Sequence, residues 1–462
     1  MKKLLLILFL SIAYLCTTHA QSFTKLEVKQ SMRRVADWQI GHYNRAVYGD
    51  LNWVNATFFL GLAYWAEIAE KDDQDDFYYK WLTRLGSRNY WQVDKRMYHA
   101  DDICIAQTYL YLYEKYKQKD MIVPTLARTE WVVANPPSGS FQLTYGDATT
   151  LEHWTWCDAL FMAPPVYLKL YNITGDSFLL DLGKLIHQQS FSFVDMVNRG
   201  DLKRINTIHC VNLAQGIKEP VIYYQQEPDK MYLDAVKCAF RDIRQFHGQP
   251  QGMYGGDEAL HGNNPTQGSE LCSAVELMYS LEKMVEITGD IDFADHLERI
   301  AFNALPTQIS DDFMTKQYFQ QANQVMVSRH RRNFDQDHGG TDNCFGLLTG
   351  YPCCASNMHQ GWPKFTQSLW YATPDGGLAV TAYAPSEVTA KVADGCTVTF
   401  SEETYYPMDD KISFTLQSMD KKRKEVNFAL QLRIPKWCRQ AGISVNGQLL
   451  QHAEGGRMAI VN

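Results

Sequence analysis

The sequence predicts a mainly α protein whose long helical part is followed by a β-sandwich domain. Apolar residues recur at three- and four-residue spacing between about residues 26 and 370, as they do on the buried face of a helix. Beyond Gly376 and Gly377 the pattern changes to short runs in which apolar and polar residues alternate, which is typical of strands. A chain of 462 residues also exceeds the usual size of one domain, so at least two folding units are expected.

Four segments carry the clearest helical pattern: residues 56–67, 102–116, 158–171 and 271–287. The last two are followed by the same polar stop, in which Gly175 and Gly289 can take the left-handed backbone conformation that ends many helices. Helix pairs joined in this way either stack into a solenoid or close into an α/α toroid. The helical part therefore has two possible architectures.

Four alternating runs predict strands in the C-terminal part: residues 378–383, 396–400, 412–416 and 428–434. Asn446-Gly447 is a turn signal of the kind that joins hairpin strands. No clear closing strand follows this turn before Asn462, so the sequence predicts a β-sandwich that is truncated.

Residues 1–20 have the features of a secretory signal, namely Lys2 and Lys3, an apolar run from Leu4 to Leu15, and a small-residue site that ends at Ala20. The mature protein is therefore expected to be secreted or periplasmic. No later stretch is apolar for long enough to span a bilayer. The net charge of −8 and the lack of a long basic run argue against a nucleic-acid partner.

The cysteines do not have the spacing of a disulfide framework, although the protein is expected in an oxidising compartment. Cys104, Cys157, Cys210 and Cys238 each lie within an apolar pattern, which favours buried free thiols. The aromatic content of 13% is high, and aromatic rings both fill cores and stack on sugar faces.

One carboxylate and three thiols form a candidate zinc site: Glu270, Cys272, Cys353 and Cys354. Adjacent cysteines cannot both point inward from a regular strand, so Cys353 and Cys354 are expected on a turn or at a helix start after Pro352. A zinc-bound thiol is deprotonated at neutral pH and can be a nucleophile. Spacing alone equally allows Cys272 to be a core thiol that is unrelated to the cysteine pair.

The first part of the chain carries two long motifs, HADDICIAQ at residues 99–107 and WTWCDALFMAPP at residues 154–165. With them, residues 27–176 resemble the N-terminal part of the unsaturated rhamnogalacturonyl hydrolases, glycoside hydrolase family 105 and its relative family 88. The resemblance implies that two aspartates hydrate the double bond of an unsaturated uronic acid. These would be Asp158 and Asp102, with Asp101 as the less favoured neighbour.

A structural role for these aspartates is also open, because an Asp at the start of an apolar helix caps it or interacts with its dipole. The catalytic role is favoured by the aromatic side chains of Trp154, Trp156 and Phe161. Such a wall would remove water from a carboxyl group and raise its pKa for acid catalysis.

The later part of the chain carries the motifs HCVNLAQGIKEP at residues 209–220, GGDE at 255–258, ELC at 270–272 and the cysteine pair at 353–354. With them, residues 179–450 resemble the β-L-arabinofuranosidases of glycoside hydrolase family 127. The resemblance implies Zn²⁺ held by the four residues of the candidate site. It also implies that Cys353 is the nucleophile of a retaining mechanism.

The same resemblance assigns the remaining site residues. Glu258 would be the acid/base, with Asp257 as the alternative, and His209 would bind the sugar. For Asp257 and Glu258 a solvated turn after two glycines is the plain structural alternative.

Taken together, the resemblances imply an (α/α)6 toroid-type catalytic domain of hybrid origin. Hairpins of the first kind are expected over residues 21–178, hairpins of the second kind over residues 179–372, and the β-sandwich over residues 373–462. The expected partner is an oligosaccharide from plant cell walls, pectic or containing arabinose, and no motif specifies an oligomeric state. Three functions follow: a retaining arabinofuranosidase, an unsaturated uronyl hydrolase, or an inactive glycan-binding chain.

Overall fold

The structure is a computed structural model, which describes residues 24–135, 162–179, 192–206, 208–420 and 423–462. The chain divides into two compact units, residues 1–191 and residues 192–462. Each unit has its own large buried apolar core.

The first unit is helical throughout its described part. Its helices are α1 (Lys25–His42), α2 (Trp53–Asp73), α3 (Phe77–Arg88), α4 (Ala106–Tyr116), α5 (Val123–Ala134) and α6 (Pro164–Thr174). Thr24 and Glu27 form a capping box at the start of α1, and Asn52 caps α2, so both helix starts follow from local side chains. The predicted helix over residues 56–67 is confirmed within α2, and Gly175 ends α6 with a φ of 76°.

The second unit begins with helices and continues into strands. Its helices are α7 (Phe193–Asn198), α8 (Cys210–Gly216), α9 (Glu219–Tyr224), α10 (Lys230–His247), α11 (Leu271–Thr288), α12 (Ile291–Arg299), α13 (Cys353–Met358) and α14 (Gly361–Gln367). Helix α11 is buried along most of its length, as the apolar pattern over residues 271–287 predicted, and Gly289 ends it with a φ of 64°. It forms the centre of the unit's core.

A small four-stranded sheet lies beside the start of α11. Its strands are β1 (Gly255–Gly256), β2 (Leu260–Gly262), β3 (Ser269–Glu270) and β4 (Phe319–Gln320), in the order β2-β1-β3-β4. Ser269 pairs with Gly256 on one side, and Glu270 pairs with Phe319 on the other. Strand β3 is therefore held between β1 and β4 where it leads into the helix.

The C-terminal part consists of strands, as predicted. They are β5 (Trp370–Ala372), β6 (Leu378–Val380), β7 (Ser386–Val392), β8 (Cys396–Thr404), β9 (Ile412–Met419), β10 (Leu430–Ile434), β11 (Gln440–Val445), β12 (Gln448–Glu454) and β13 (Arg457–Val461). The sheets have the orders β13-β10-β6-β5, β7-β8-β9 and β11-β12. The predicted order of helices followed by a strand-rich region is confirmed.

The end of the chain is more regular than the sequence pattern indicated. Asn446 and Gly447 both have positive φ, 50° and 80°, and they join β11 to β12 as a tight hairpin turn. Strand β13 then pairs antiparallel with β10 over five residue pairs. The polarity of its residues alternates too weakly for the strand to be predicted from the sequence. Cross-strand pairing decides its conformation instead.

Two further expectations concern cysteines and membranes. Every cysteine in the described ranges is free, and Cys104 and Cys210 are buried, as predicted, whereas Cys238 is only half-buried. Cys157 lies outside the described residues. Among the helices that the structure describes, none is both long enough and apolar enough to cross a bilayer.

Arg433 is a fully buried cation that connects β10 to helix α12. Its guanidinium group forms ion pairs with Asp295 and Glu298 and donates a hydrogen bond to the carbonyl of Thr381. Removing one partner of a buried pair leaves the other charges uncompensated, which costs about 3–5 kcal/mol.

Arg433→Met should therefore lower the free energy of unfolding by about 3 kcal/mol, measured from the shift in a denaturant transition. The control is Lys436→Met, which breaks only an exposed pair with Asp292 and should cost less than about 1 kcal/mol. Equal effects of the two substitutions would contradict the assignment of Arg433 as a buried structural ion pair.

Candidate active site

Glu270 and Cys272 are brought together by the junction of β3 and α11. Glu270 has extended backbone angles and immediately precedes the helix, whereas Cys272 lies in the first helical turn. Both residues are buried, with 2% and 1% of their surfaces exposed. The change from strand to helix lets two residues that are two apart in sequence face the same point.

Cys353 and Cys354 begin the short helix α13 directly after Pro352, as the sequence predicted. Cys354 is buried and Cys353 is exposed. The two sulfurs lie 3.9 Å and 3.6 Å from Glu270 Oε1, for Cys353 and Cys354 respectively. Cys354 Sγ also lies 3.3 Å from Cys272 Sγ, so the four predicted residues form one cluster.

The donor set fits zinc. All four ligand atoms lie within 4.8 Å of one another. A tetrahedral site with Zn–S bonds of about 2.3 Å has ligand atoms about 3.8 Å apart, which is close to the distances found here. Three thiolates and one carboxylate are also ligands that zinc prefers.

The charges of the thiols are unequal in this geometry. Hydrogen bonds from Cys272 and Cys354 lower the pKa of the Cys353 thiol, and burial raises the pKa of the Cys354 thiol. Burial also raises the pKa of Glu270 to about 7. Cys353 is therefore the thiol that most readily carries negative charge, and it is also the one that reaches solvent.

Glu258 lies in the turn between β1 and β2 and has a strained backbone, with a φ of 91°. Left-handed backbone at a non-glycine residue costs on the order of 1–3 kcal/mol and occurs often at functional sites. Its carbonyl accepts a hydrogen bond from the backbone N–H of Cys210, at 2.8 Å. A Cβ at Gly256 would lie 2.6 Å from the Cβ of Cys210, so only glycine permits this close approach of the turn to α8.

Both carboxylate oxygens of Glu258 are held by neighbours. The hydroxyl of Tyr318 donates to Oε1 at 2.6 Å, and His209 Nε2 lies 3.1 Å from Oε2. His209 caps α8, where its Nδ1 accepts the backbone N–H of Asn212, so its hydrogen is on Nε2. The hydrogen bond to Glu258 raises the pKa of His209.

Glu270 joins these two clusters. Ligand atoms of His209, Glu258 and Glu270 also lie within 4.8 Å of one another. The candidate acid/base and the candidate sugar-binding histidine therefore lie next to the candidate zinc ligands, as the resemblance implied.

Asp257, the alternative acid, faces a different group of side chains. It is fully buried, and its Oδ1 lies 2.5 Å from His261 Nδ1. The other ring nitrogen of His261 lies 2.8 Å from Asp335. Burial raises the pKa of Asp257 to about 7, but the geometry favours Glu258 as the residue beside the thiols.

In the first unit, Asp102 lies in a short 3-10 helix (Ala100–Ile103) and is buried. Its carboxylate accepts hydrogen bonds from the backbone N–H of Arg96 at 2.7 Å and from the Arg96 guanidinium group. Asp101 lies 3.7 Å from His99 Nδ1. Asp158 and its aromatic neighbours Trp154, Trp156 and Phe161 lie outside the described residues.

Four residues of the site were not found from the sequence: Cys210, Lys316, Tyr318 and Asn357. Cys210 Sγ lies 3.5 Å from Glu270 Oε2, and the side-chain amide of Asn357 donates to Cys272 Sγ at 3.2 Å. Cys210 lies within the motif at residues 209–220 and Asn357 lies three residues after Cys354, so their positions could have indicated a role. Tyr318 has no such signal, because it reaches the site from the residue just before β4, far along the chain from Glu258.

Three family models match successive parts of the chain. Residues 31–199 match Glycosyl Hydrolase Family 88. Residues 149–367 match the β-L-arabinofuranosidase GH127 catalytic domain, and residues 377–461 match the GH127 middle domain. Both predicted resemblances are confirmed, since each part of the chain is similar to a family of glycoside hydrolases.

Two curated relatives represent the two families. The chain is 29% identical over 167 residues to an unsaturated 3S-rhamnoglycuronyl hydrolase from Alteromonas sp. (strain LOR), covering 32% of this chain and 40% of the relative. It is 26% identical over 186 residues to a non-reducing end β-L-arabinofuranosidase from Bifidobacterium longum subsp. longum, covering 40% and 27%. The chain thus spans less than half the length of these relatives.

Solved structures show the fold. A GH127 β-L-arabinofuranosidase from Geobacillus stearothermophilus T6 has a TM-score of 0.59 at 16% identity, covering 94% of this chain and 77% of that one. A further glycoside hydrolase has a TM-score of 0.60 at 17% identity, with coverages of 88% and 70%. The fold predicted from the sequence is therefore shared with GH127 structures.

Proposed function

We propose that this protein is a retaining glycosidase of the β-L-arabinofuranosidase type, with Cys353 as nucleophile and Glu258 as acid/base. One observation carries the proposal. The exposed thiol of Cys353 lies at the edge of a buried Glu-Cys-Cys set, and Glu270 of that set also lies beside Glu258. A nucleophile and a proton donor thus border the same site.

Glu270, Cys272, Cys353 and Cys354 would hold Zn²⁺, whose bound positive charge would keep the thiols deprotonated. The protein's own groups supply the rest of the site. Tyr318 and His209 fix both oxygens of Glu258, and the exposed Cys353 is accessible to a sugar.

The reaction would take two steps. The sulfur of Cys353 attacks the anomeric carbon, the glycosidic C–O bond breaks, and Glu258 gives its proton to the leaving oxygen. Glu258 then takes a proton from water, whose oxygen attacks the same carbon, and the C–S bond breaks to restore the thiolate. Two inversions retain the anomeric configuration.

The proposed substrates are arabinose-containing glycans of plant cell walls, and residues 1–20 would direct the protein out of the cytoplasm. The export proposal can be checked by determining the N-terminal residue of the exported protein, which should be Gln21. An N-terminus at Met1 in the exported fraction would reject cleavage at this site.

Metal analysis and turnover test the main proposal together. The purified protein should contain one zinc per chain and release arabinose from an aryl β-L-arabinofuranoside. A chelator should remove both zinc and activity, and added zinc should restore them. Stable activity in a demonstrably zinc-free protein would refute the metal assignment.

The family 88 match favours one alternative, hydrolysis of unsaturated uronides through Asp158 and Asp102. The carboxylate of Asp102 accepts hydrogen bonds from Arg96, which favours a structural role and makes this the weaker proposal. It predicts that the ultraviolet absorbance of an unsaturated uronide decreases with the pure protein. If neither substrate turns over while oligosaccharides still bind, the chain is a glycan-binding protein.

Lys316 should support the cysteine pair. Its buried ammonium group donates to the carbonyls of Thr349 and Tyr351, just before Pro352 and the cysteines. It also adds a positive charge near a ligand set that carries four negative charges when fully ionised. Removing such a supporting residue typically lowers metal affinity about 10- to 100-fold.

Lys316→Met is therefore expected to weaken zinc binding at least about tenfold, measured by competition with a chromogenic chelator. Lys364→Met is the matched control, because Lys364 lies on α14, donates to Gln360 just before that helix, and makes no hydrogen bond to the described segment before the cysteines. Unchanged affinity in Lys316→Met would contradict the supporting role.

A further inference from the structure

A second site is indicated by a cavity of about 500 Å³ in the second unit, between helix α12 and the C-terminal strands. None of the four candidate zinc ligands lines it, and neither does Glu258. Its walls combine an exposed aromatic side chain with several charged groups, and such a composition is suited to binding a polar ring.

Trp437 forms an oriented aromatic platform at this cavity. Its ring stacks on that of Tyr406, with centroids 6.4 Å apart and planes inclined by 19°. Its indole N–H donates to Glu298 Oε1 at 3.3 Å, and Glu298 is itself held by buried Arg433. Nevertheless 61% of Trp437 is exposed. The ring is fixed from one side and open to a ligand on the other.

The cavity is also positively charged. Arg433 compensates Asp295 and Glu298, and Lys436 pairs with Asp292. Two cations and three carboxylates leave one negative charge among these five groups.

Two more guanidinium groups, those of Arg244 and Arg299, line the same cavity, and neither has an acidic partner in the part of the chain that the structure describes. Burial lowers the pKa of His296 to about 4, and the positive charges of these two arginines contribute to the lowering. His296 lies 2.6 Å from the carbonyl of Gly252 and is neutral, so it adds no further positive charge. The two arginines are both exposed, bring the charged groups of the lining to a net charge of about +1, and offer an anionic ligand two guanidinium partners.

We propose that this cavity binds an acidic oligosaccharide, a chain of uronic acid residues, with a sugar face on Trp437 and a carboxylate between Arg244 and Arg299. Sugar rings stack on aromatic faces, and guanidinium groups bind carboxylates through two parallel hydrogen bonds. A neutral sugar would use the platform but leave both arginines without a partner. The site would hold the protein on acidic polysaccharide, whichever reaction its other site performs.

Binding of saturated trigalacturonate tests the proposal, measured by isothermal titration calorimetry on the full chain. The parent should bind the acid more tightly than the uncharged trigalactose, and added salt should weaken the binding. Arg244→Ser with Arg299→Ser should reduce the affinity at least tenfold, as should Trp437→Ala, and Trp437→Tyr should restore most of it. These results do not depend on Cys353 or on zinc.

Matched controls come from the first unit. Arg34→Ser removes an exposed positive charge, and Trp38→Ala removes a tryptophan that is 58% exposed and stacked on His42. Both should bind trigalacturonate as the parent does. The proposal is overturned if the parent binds acidic and neutral trisaccharides equally, or if the cavity variants retain parental affinity. Circular dichroism of each variant separates lost binding from lost folding.

Discussion

Replacing Cys353 by serine is expected to reduce turnover of an aryl β-L-arabinofuranoside on the order of 10³-fold or more. The thiol of Cys353 is exposed, and the proposed zinc ion would keep it deprotonated, so the parent would present a nucleophilic anion at neutral pH. A serine hydroxyl of the same shape stays protonated at that pH. The loss should appear in kcat, because the sulfur forms its bond to carbon only during the reaction.

The control for this substitution is Cys344→Ser. Cys344 is also a free cysteine, half-buried in the segment that precedes α13, and it belongs to none of the metal-ligand groups among the described residues. It should keep parental activity. Mass spectrometry of an acid-quenched reaction should show a glycosyl adduct on the peptide with Cys353, and full activity of Cys353→Ser would reject this residue as the nucleophile.

The candidate zinc set was predictable because its members carry distinctive chemistry and stand in short motifs. The strand-to-helix change at Glu270 and the helix start at Cys353 were both consistent with local sequence, and the structure brings the four ligands together. The preference for Glu258 over Asp257 rested on the resemblance, because the residues alone did not distinguish the two. Adjacent residues in a turn point in different directions, and only tertiary contacts show that Asp257 faces His261.

Residues that contact the site but lie far from its motifs in sequence could not be predicted either. Tyr318 approaches Glu258 from the residue just before β4, and a lone tyrosine gives no sign of its partner in the sequence. For Asp102 the resemblance implied catalysis, and the hydrogen bonds from Arg96 to its carboxylate had no signal in the sequence. The catalytic role of Asp102 stays a prediction.

The second large effect is expected for Glu258→Gln, which should lower kcat/KM on the order of 10²- to 10⁴-fold for a natural disaccharide. Glutamine keeps the shape and can still accept the hydrogen bond from Tyr318, but it neither gives nor takes a proton. An aryl leaving group needs little protonation, so the first step should slow less with an aryl glycoside. The covalent intermediate should then accumulate and give a burst of the released phenol.

Azide distinguishes an acid/base from a residue that only binds sugar. Azide needs no general base, so it should attack the intermediate in Glu258→Gln and raise turnover of the aryl glycoside, with a glycosyl azide as product. Glu276→Gln is the control, because Glu276 lies on α11 but belongs to none of the described metal-ligand groups, and it should behave as the parent. If Glu258→Gln loses affinity for substrate but keeps kcat and shows no azide effect, the acid/base is a different carboxylate. Asp257 is buried against His261. If Asp257 is that carboxylate, the turn that carries Asp257 and Glu258 would have to rearrange when substrate binds.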